Sequence, residues 1–195
     1  VGHVTLAFNG KLYVIGGFNL STGYVNDVVS SSDGITWTTK TPSAQWTPRG
    51  DMAGFVFNNR MYIVGGYTET FPGYSTEAYS DTVEQTLLWT PTGNIPSTLN
   101  YFSEVWSSSD GTNWIKEEML DTATGQIVKP LPVGLRGHSA NVIDGTIYVV
   151  GGADGVASYQ SAVYSSKDGK MWDTIGNIIN PSTSSSLPLA EHASV

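Results

Sequence analysis

Apolar and polar positions alternate along this chain in short runs, and one run returns three times. Lys11-Leu12-Tyr13-Val14-Ile15-Gly16-Gly17 recurs as Arg60-Met61-Tyr62-Ile63-Val64-Gly65-Gly66 and as Thr146-Ile147-Tyr148-Val149-Val150-Gly151-Gly152. Each is a β-branched and aromatic stretch stopped by two glycines, which suits a buried strand. The glycine pair tolerates positive φ and lets another backbone or ring come close. A first strand is predicted ahead of each run, over His3–Phe8, Met52–Phe57 and Ser139–Ile143. The links Asn9-Gly10, Asn58-Asn59 and Asp144-Gly145 hold the residue types that a two-residue type I′ turn demands. A third strand is predicted over Tyr24–Ser32, Tyr101–Ser109 and Tyr159–Lys167, ending at the turns Asp33-Gly34, Asp110-Gly111 and Asp168-Gly169. A fourth strand is expected to open with Trp37, Trp114 and Trp172. The pattern therefore predicts three four-stranded antiparallel meanders. Each has two apolar faces that it cannot bury alone, so neighbours must stack.

A four-stranded unit with a double glycine after its second strand and an aromatic on its fourth resembles the kelch repeat. The resemblance covers nearly the whole chain in three copies. It implies an all-β fold, a kelch-type β-propeller segment of three four-stranded antiparallel blades within a larger wheel. The first strand of each blade would line a central channel and the fourth would lie at the rim. The expected blades are 1–49, 50–136 with an insertion at 67–100, and 137–190. Residues 191–195 begin a fourth repeat, since Glu191-His192-Ala193-Ser194 parallels Gly137-His138-Ser139-Ala140. Propellers close with about four to eight blades, so three predict a fragment whose remaining blades come from the same longer chain. A start at Val1 rather than methionine fits that expectation. The other solution is a second copy closing a six-bladed ring, in which residues 191–195 of one copy would compete with residues 1–5 of the next. The serine-rich hairpins, such as Ser31-Ser32-Asp33-Gly34, also look like the Asp-box of sialidases. They are one residue short between aspartate and tryptophan, which leaves hairpin chemistry as the reading.

The repeats differ in their loops. The second carries the insertion Tyr67–Asn100, with Tyr74, Tyr79 and Trp89 set among acidic residues and a hairpin expected around Val83–Trp89. A further expansion, Asp121–Leu135, lies on the same expected face. Long loops in a compact domain are usually functional or disordered, so Tyr74, Tyr79 and Trp89 are candidate ligand contacts. Arg49 and Arg136 precede the first strands and are candidates to clamp a carboxylate; the alternative is a hydrogen bond from blade to blade. His3, Asp51, His138 and His192 hold equivalent positions, where they either converge on a metal or bond to the adjacent backbone. The second alternative is expected, and no metal site is assigned. Trp37, Trp114 and Trp172 read as packing residues because they repeat. Asn19-Leu20-Ser21 is a glycosylation sequon in a predicted loop.

Charge narrows the partners. Nine basic residues against 17 acidic give a net charge of −8, which disfavours nucleic acid and anionic lipid. The chain has no cysteine, so neither a disulfide framework nor a thiolate metal site is available. The copper site of the kelch-type oxidases, which the resemblance brings to mind, needs a cysteine-crosslinked tyrosine that this segment cannot form. No apolar run approaches the ~18 residues of a membrane span. The expectation is a non-catalytic binding or scaffolding module without a cofactor, engaging a protein or glycan through its loop face at the cell surface or in secretion. The alternative is part of a carbohydrate-active propeller enzyme (sialidase-like, mutarotase-like or oxidase-like) whose active residues lie mostly elsewhere.

Overall fold

The computed structural model describes residues 1–70, 98–120, 123–128, 130–155 and 158–190. The chain divides into two compact units, Val1–Thr68 with Tyr101–Val195, and Glu69–Asn100. The described residues of the smaller unit, 69–70 and 98–100, are strand. Among the described residues there is no helix, and hence none long and apolar enough to cross a membrane. The protein is all-β, with several antiparallel sheets.

Strands β1 (Val4–Phe8), β2 (Lys11–Asn19), β3 (Gly23–Ser31) and β4 (Thr38–Thr41) pair in that order as the first sheet. After β5 (Ala53–Phe57) and β6 (Arg60–Val64), β7 (Tyr67–Thr70) and β8 (Thr98–Tyr101) form a separate two-stranded ribbon. With β9 (Val105–Ser108) and β10 (Ile115–Lys116), the second sheet runs β5-β6-β9-β10. A short ribbon of β11 (Met119–Leu120) and β12 (Ile127–Val128) follows. The third sheet runs β13 (Ser139–Ile143), β14 (Thr146–Val150), β15 (Ala162–Ser166) and β16 (Asp173–Asn177).

Local chemistry sets the register. The turn pairs have φ of 47° and 70° at Asn9-Gly10, 44° and 56° at Asn58-Asn59, and 48° and 71° at Asp144-Gly145. Positive φ at both positions matches the right-handed twist of the flanking strands. Val4 accordingly faces Ile15, Ala53 faces Val64 and Ser139 faces Val150.

Three boundaries depart from the sequence expectation. The fourth strands start one residue after each tryptophan. The Trp114 and Trp172 indoles fold back and donate from Nε1 to the carbonyls of Gly111 (3.3 Å) and Gly169 (3.2 Å). β9 begins at Val105 rather than Tyr101, because Tyr101 is taken into β8 and the Phe102 amide donates to Gly66 O at 2.9 Å. β15 begins at Ala162 rather than Tyr159, which bridges Ala153 instead.

Two apolar cores result. One joins Tyr13 and Ile15 of β2 to Met61 and Ile63 of β6, with Trp46 and Trp114. The other joins Tyr62 and Val64 of β6 to Ile147 and Val149 of β14, with Leu131 and Leu135. β6 is apolar at both parities because alternate side chains enter different cores.

Candidate functional site

Residues at the ends of β2, β3, β7 and β8 bring a row of aromatic rings together. Phe18 and Tyr24 meet at 5.1 Å between centroids, Tyr24 and Tyr67 at 5.5 Å, and Tyr67 and Tyr101 at 6.0 Å. All four residues are half-buried. Tyr24 and Tyr101 are the openings of the predicted third strands, and Phe18 and Tyr67 follow glycine pairs. Each position is a repeat landmark, yet their side-by-side placement depends on the sheets stacking. Sequence reading passed over Phe18 and Tyr67 for that reason.

The row ends at a cleft of about 240 Å³ lined by Tyr101, Phe102, Ser103, Glu104, Lys116, Glu118, Ile127 and Pro130. Its charges are ordered. Lys116 Nζ lies 3.0 Å from Glu104 Oε1 and 2.9 Å from Glu118 Oε1. Hydrogen bonding to Glu118, and next to Glu104, raises the Lys116 pKa against the opposing pull of burial. Burial by itself would push the Glu104 carboxyl up; hydrogen bonds from Arg49, Trp106 and Lys116 outweigh it and leave the group below its ordinary value. At neutral pH the cleft therefore presents fixed carboxylates and an ammonium beside aromatic edges.

Arg49, which bonds to Glu104 of this cleft, is 1% exposed. Its Nε donates to Thr47 O (3.0 Å), Nη1 to Gly65 O (3.2 Å) and Nη2 to Glu104 Oε2 (2.7 Å). The guanidinium also sits 3.5 Å over the Phe102 ring. Burial pulls its pKa down, while Glu104 opposes that fall. A ligand carboxylate would have to displace Glu104 to reach it, so Arg49 is placed to hold β6 and β9 together. Arg136, the equivalent residue one repeat later, lies 3.6 Å from Asp51 and 5.0 Å from the Tyr67 ring centroid. Its side chain is 18% exposed, which puts a cation on the aromatic row.

The remaining candidates separate. Tyr74, Tyr79, Trp89 and His192 lie outside the described residues. His138 Nε2 is 3.1 Å from Val64 O, bonding one sheet to the backbone of its neighbour. Among the described residues no group of three or more His, Asp and Glu side chains could hold a metal ion. The glycine pairs stand where chains converge. A Cβ on Gly65 would lie 2.5 Å from His138 Cε1, and one on Gly66 would lie 2.8 Å from Gly50 O. Gly16 and Gly17 meet Trp46 and His3 in the same manner, and Gly152 meets His138; Gly151 has φ of 66°. Trp114 is buried, Trp172 is half-buried and Trp37 is 41% exposed.

No protein-family profile and no curated protein matches the chain. Among solved structures, that of YjhT is similar, with a TM-score of 0.51 at 16% sequence identity. The match covers 95% of this chain and 53% of that one, so the chain spans about half the length of YjhT. At this identity the likeness concerns the β-fold alone.

Proposed function

We propose that the chain is a run of kelch-type β-propeller blades serving as a non-catalytic binding module, which takes a glycan on its loop face in an extracytoplasmic setting. The propeller reading is supported by three sheets built in the same order, by glycine pairs at equivalent crossings, and by apolar cores between successive sheets. The binding reading is carried by one observation. The half-buried row Phe18, Tyr24, Tyr67 and Tyr101 leads into a cleft whose carboxylates and ammonium are held in place. Aromatic faces cover the apolar side of a sugar ring, and fixed charges bind its hydroxyls. The connections between second and third strands vary from repeat to repeat while the order of the sheets does not.

A glycan array tests this with the wild-type chain and the variants Tyr101→Ala and Lys116→Ala. The wild type is expected to retain a subset of glycans, and each variant to bind them at least about tenfold more weakly, with unchanged circular dichroism. An array that retains no glycan overturns the glycan reading. Undiminished binding by both variants removes this face from the account.

A further inference from the structure

The cleft beside the aromatic row has two kinds of lining. Ser103, Glu104, Lys116 and Glu118 are polar. Their charges balance, because Lys116 bridges the two carboxylates and Arg49 holds the other oxygen of Glu104. Two fixed anions matched by two fixed cations suit a neutral ligand, whose hydroxyls need donors and acceptors but no counter-charge. Ile127 and Pro130, in contrast, offer a hydroxyl nothing from their side chains.

Ile127 belongs to the β11–β12 ribbon, where Leu120 lies directly opposite it. Residues opposite each other in an antiparallel pair share one face, so Leu120 extends the aliphatic wall that Ile127 gives the cleft. Both side chains are 58% exposed. The link between the first and second sheets, residues 42–52, contains no strand, so this ribbon is not a requirement of the repeat.

Size decides what the wall is for. At about 240 Å³ the cleft is smaller than the roughly 300–1,000 Å³ that encloses a drug-sized ligand. It has room for a single sugar ring, and whatever is attached to that ring lies outside. On the Tyr101 side the aromatic row suits further rings. The Leu120 and Ile127 pair suits methylenes, because aliphatic side chains have no flat face to set against a ring and gain by removing water from CH₂ groups.

We infer that the ligand is a neutral glycoside with an aliphatic aglycone, its sugar in the cleft and its alkyl chain over Leu120 and Ile127. The inference rests on the reading of the cleft as a glycan site and names the class of glycan it takes.

Isothermal titration calorimetry tests it with the methyl and octyl glycosides of glucose, galactose and mannose, all below the concentration at which micelles form. For at least one sugar the octyl glycoside is expected to bind about tenfold or more tighter than the methyl glycoside, a modest part of what full burial of its methylenes would give. Leu120→Ser and Ile127→Ser are each expected to cut that ratio below about threefold. Both residues are exposed, so circular dichroism is expected to stay unchanged. An octyl ether of tetraethylene glycol, which has the chain without the sugar, is expected not to bind. Equal binding of methyl and octyl glycosides, a ratio that both variants leave intact, or binding of the octyl ether as tightly as the octyl glycoside overturns the inference. A chain that retains array glycans while showing no octyl preference loses the aliphatic part alone. A chain that binds neither array glycans nor any of the six glycosides loses the glycan reading as well.

Discussion

Asp110 accepts hydrogen bonds on Oδ1 from the amides of Thr112 (2.7 Å) and Asn113 (2.8 Å) and from Ser108 Oγ (3.0 Å). Asp33 and Asp168 repeat the arrangement with Ser31 and Ser166. Burial opposes ionisation of Asp110, but the amide and side-chain donors outweigh it and bring its pKa down to about 2. A carboxyl depressed on folding stabilises the protein above its unfolded value, about 4, and that contribution fades as pH falls toward the folded one. Asp110→Ala is expected to lower stability by roughly 1.5–3 kcal/mol at pH 7, the scale of hydrogen bonds to a charged acceptor. Urea denaturation at a series of pH values checks it: the gap from wild type stays constant from pH 7 to 5 and narrows between about 4 and 2. A gap that does not change with pH would show that the charge has no part in holding the turn. These hairpins were legible in the sequence because every partner lies within three residues. Arg49 was not. Its position before the first strand reads as a channel mouth, but its carboxylate partner Glu104 is 55 residues away, and no local pattern reveals that.

Among the strands, the legible parts are those fixed by alternation and turn type. β1, β2, β5, β6, β13 and β14 follow from apolar runs flanking two-residue turns. Their outer neighbours were harder to read, because backbone donors near Tyr101 and Tyr159 find partners outside the main sheets. The short ribbon of β11 and β12 carries no periodicity in two-residue strands and was not foreseen. Packing between first strands explains a residue that propensity disfavours. Gly54 stands in the middle of β5, where a Cβ would lie within clashing distance of Val4 Cγ1 on β1. Glycine costs a strand entropy and packing, so its presence reflects this close approach. Gly54→Ala, which would help an isolated strand, is therefore expected to destabilise the protein by roughly 1–3 kcal/mol, the cost of overpacking. A urea midpoint at or above that of wild type would show that β1 and β5 lie farther apart than described.

Taken together, the sheets form a series in which Trp114 and Trp172, and the hairpins at Gly111 and Gly169, bear on the sheet before. The repeat made stacking legible, since no meander can bury both of its faces alone. It also suggested that Trp37, Trp114 and Trp172 share one environment, whereas Trp114 is buried, Trp172 half-buried and Trp37 exposed. Ile143 likewise is 58% exposed, although its equivalents Phe8 and Phe57 are buried. Face-to-face packing of successive sheets is the claim on which the binding row depends. A double-mutant cycle across the first interface tests it most directly, using Trp46→Ala, Trp114→Ala and the pair, with unfolding free energies measured in urea. Trp114→Ala alone is expected to cost about 3–5 kcal/mol, and the two rings, edge-on at 86°, should show a coupling of roughly 0.5–1.5 kcal/mol. Losses that add to within about 0.3 kcal/mol would mean that the two tryptophans do not touch, and would contradict the stacking of the sheets.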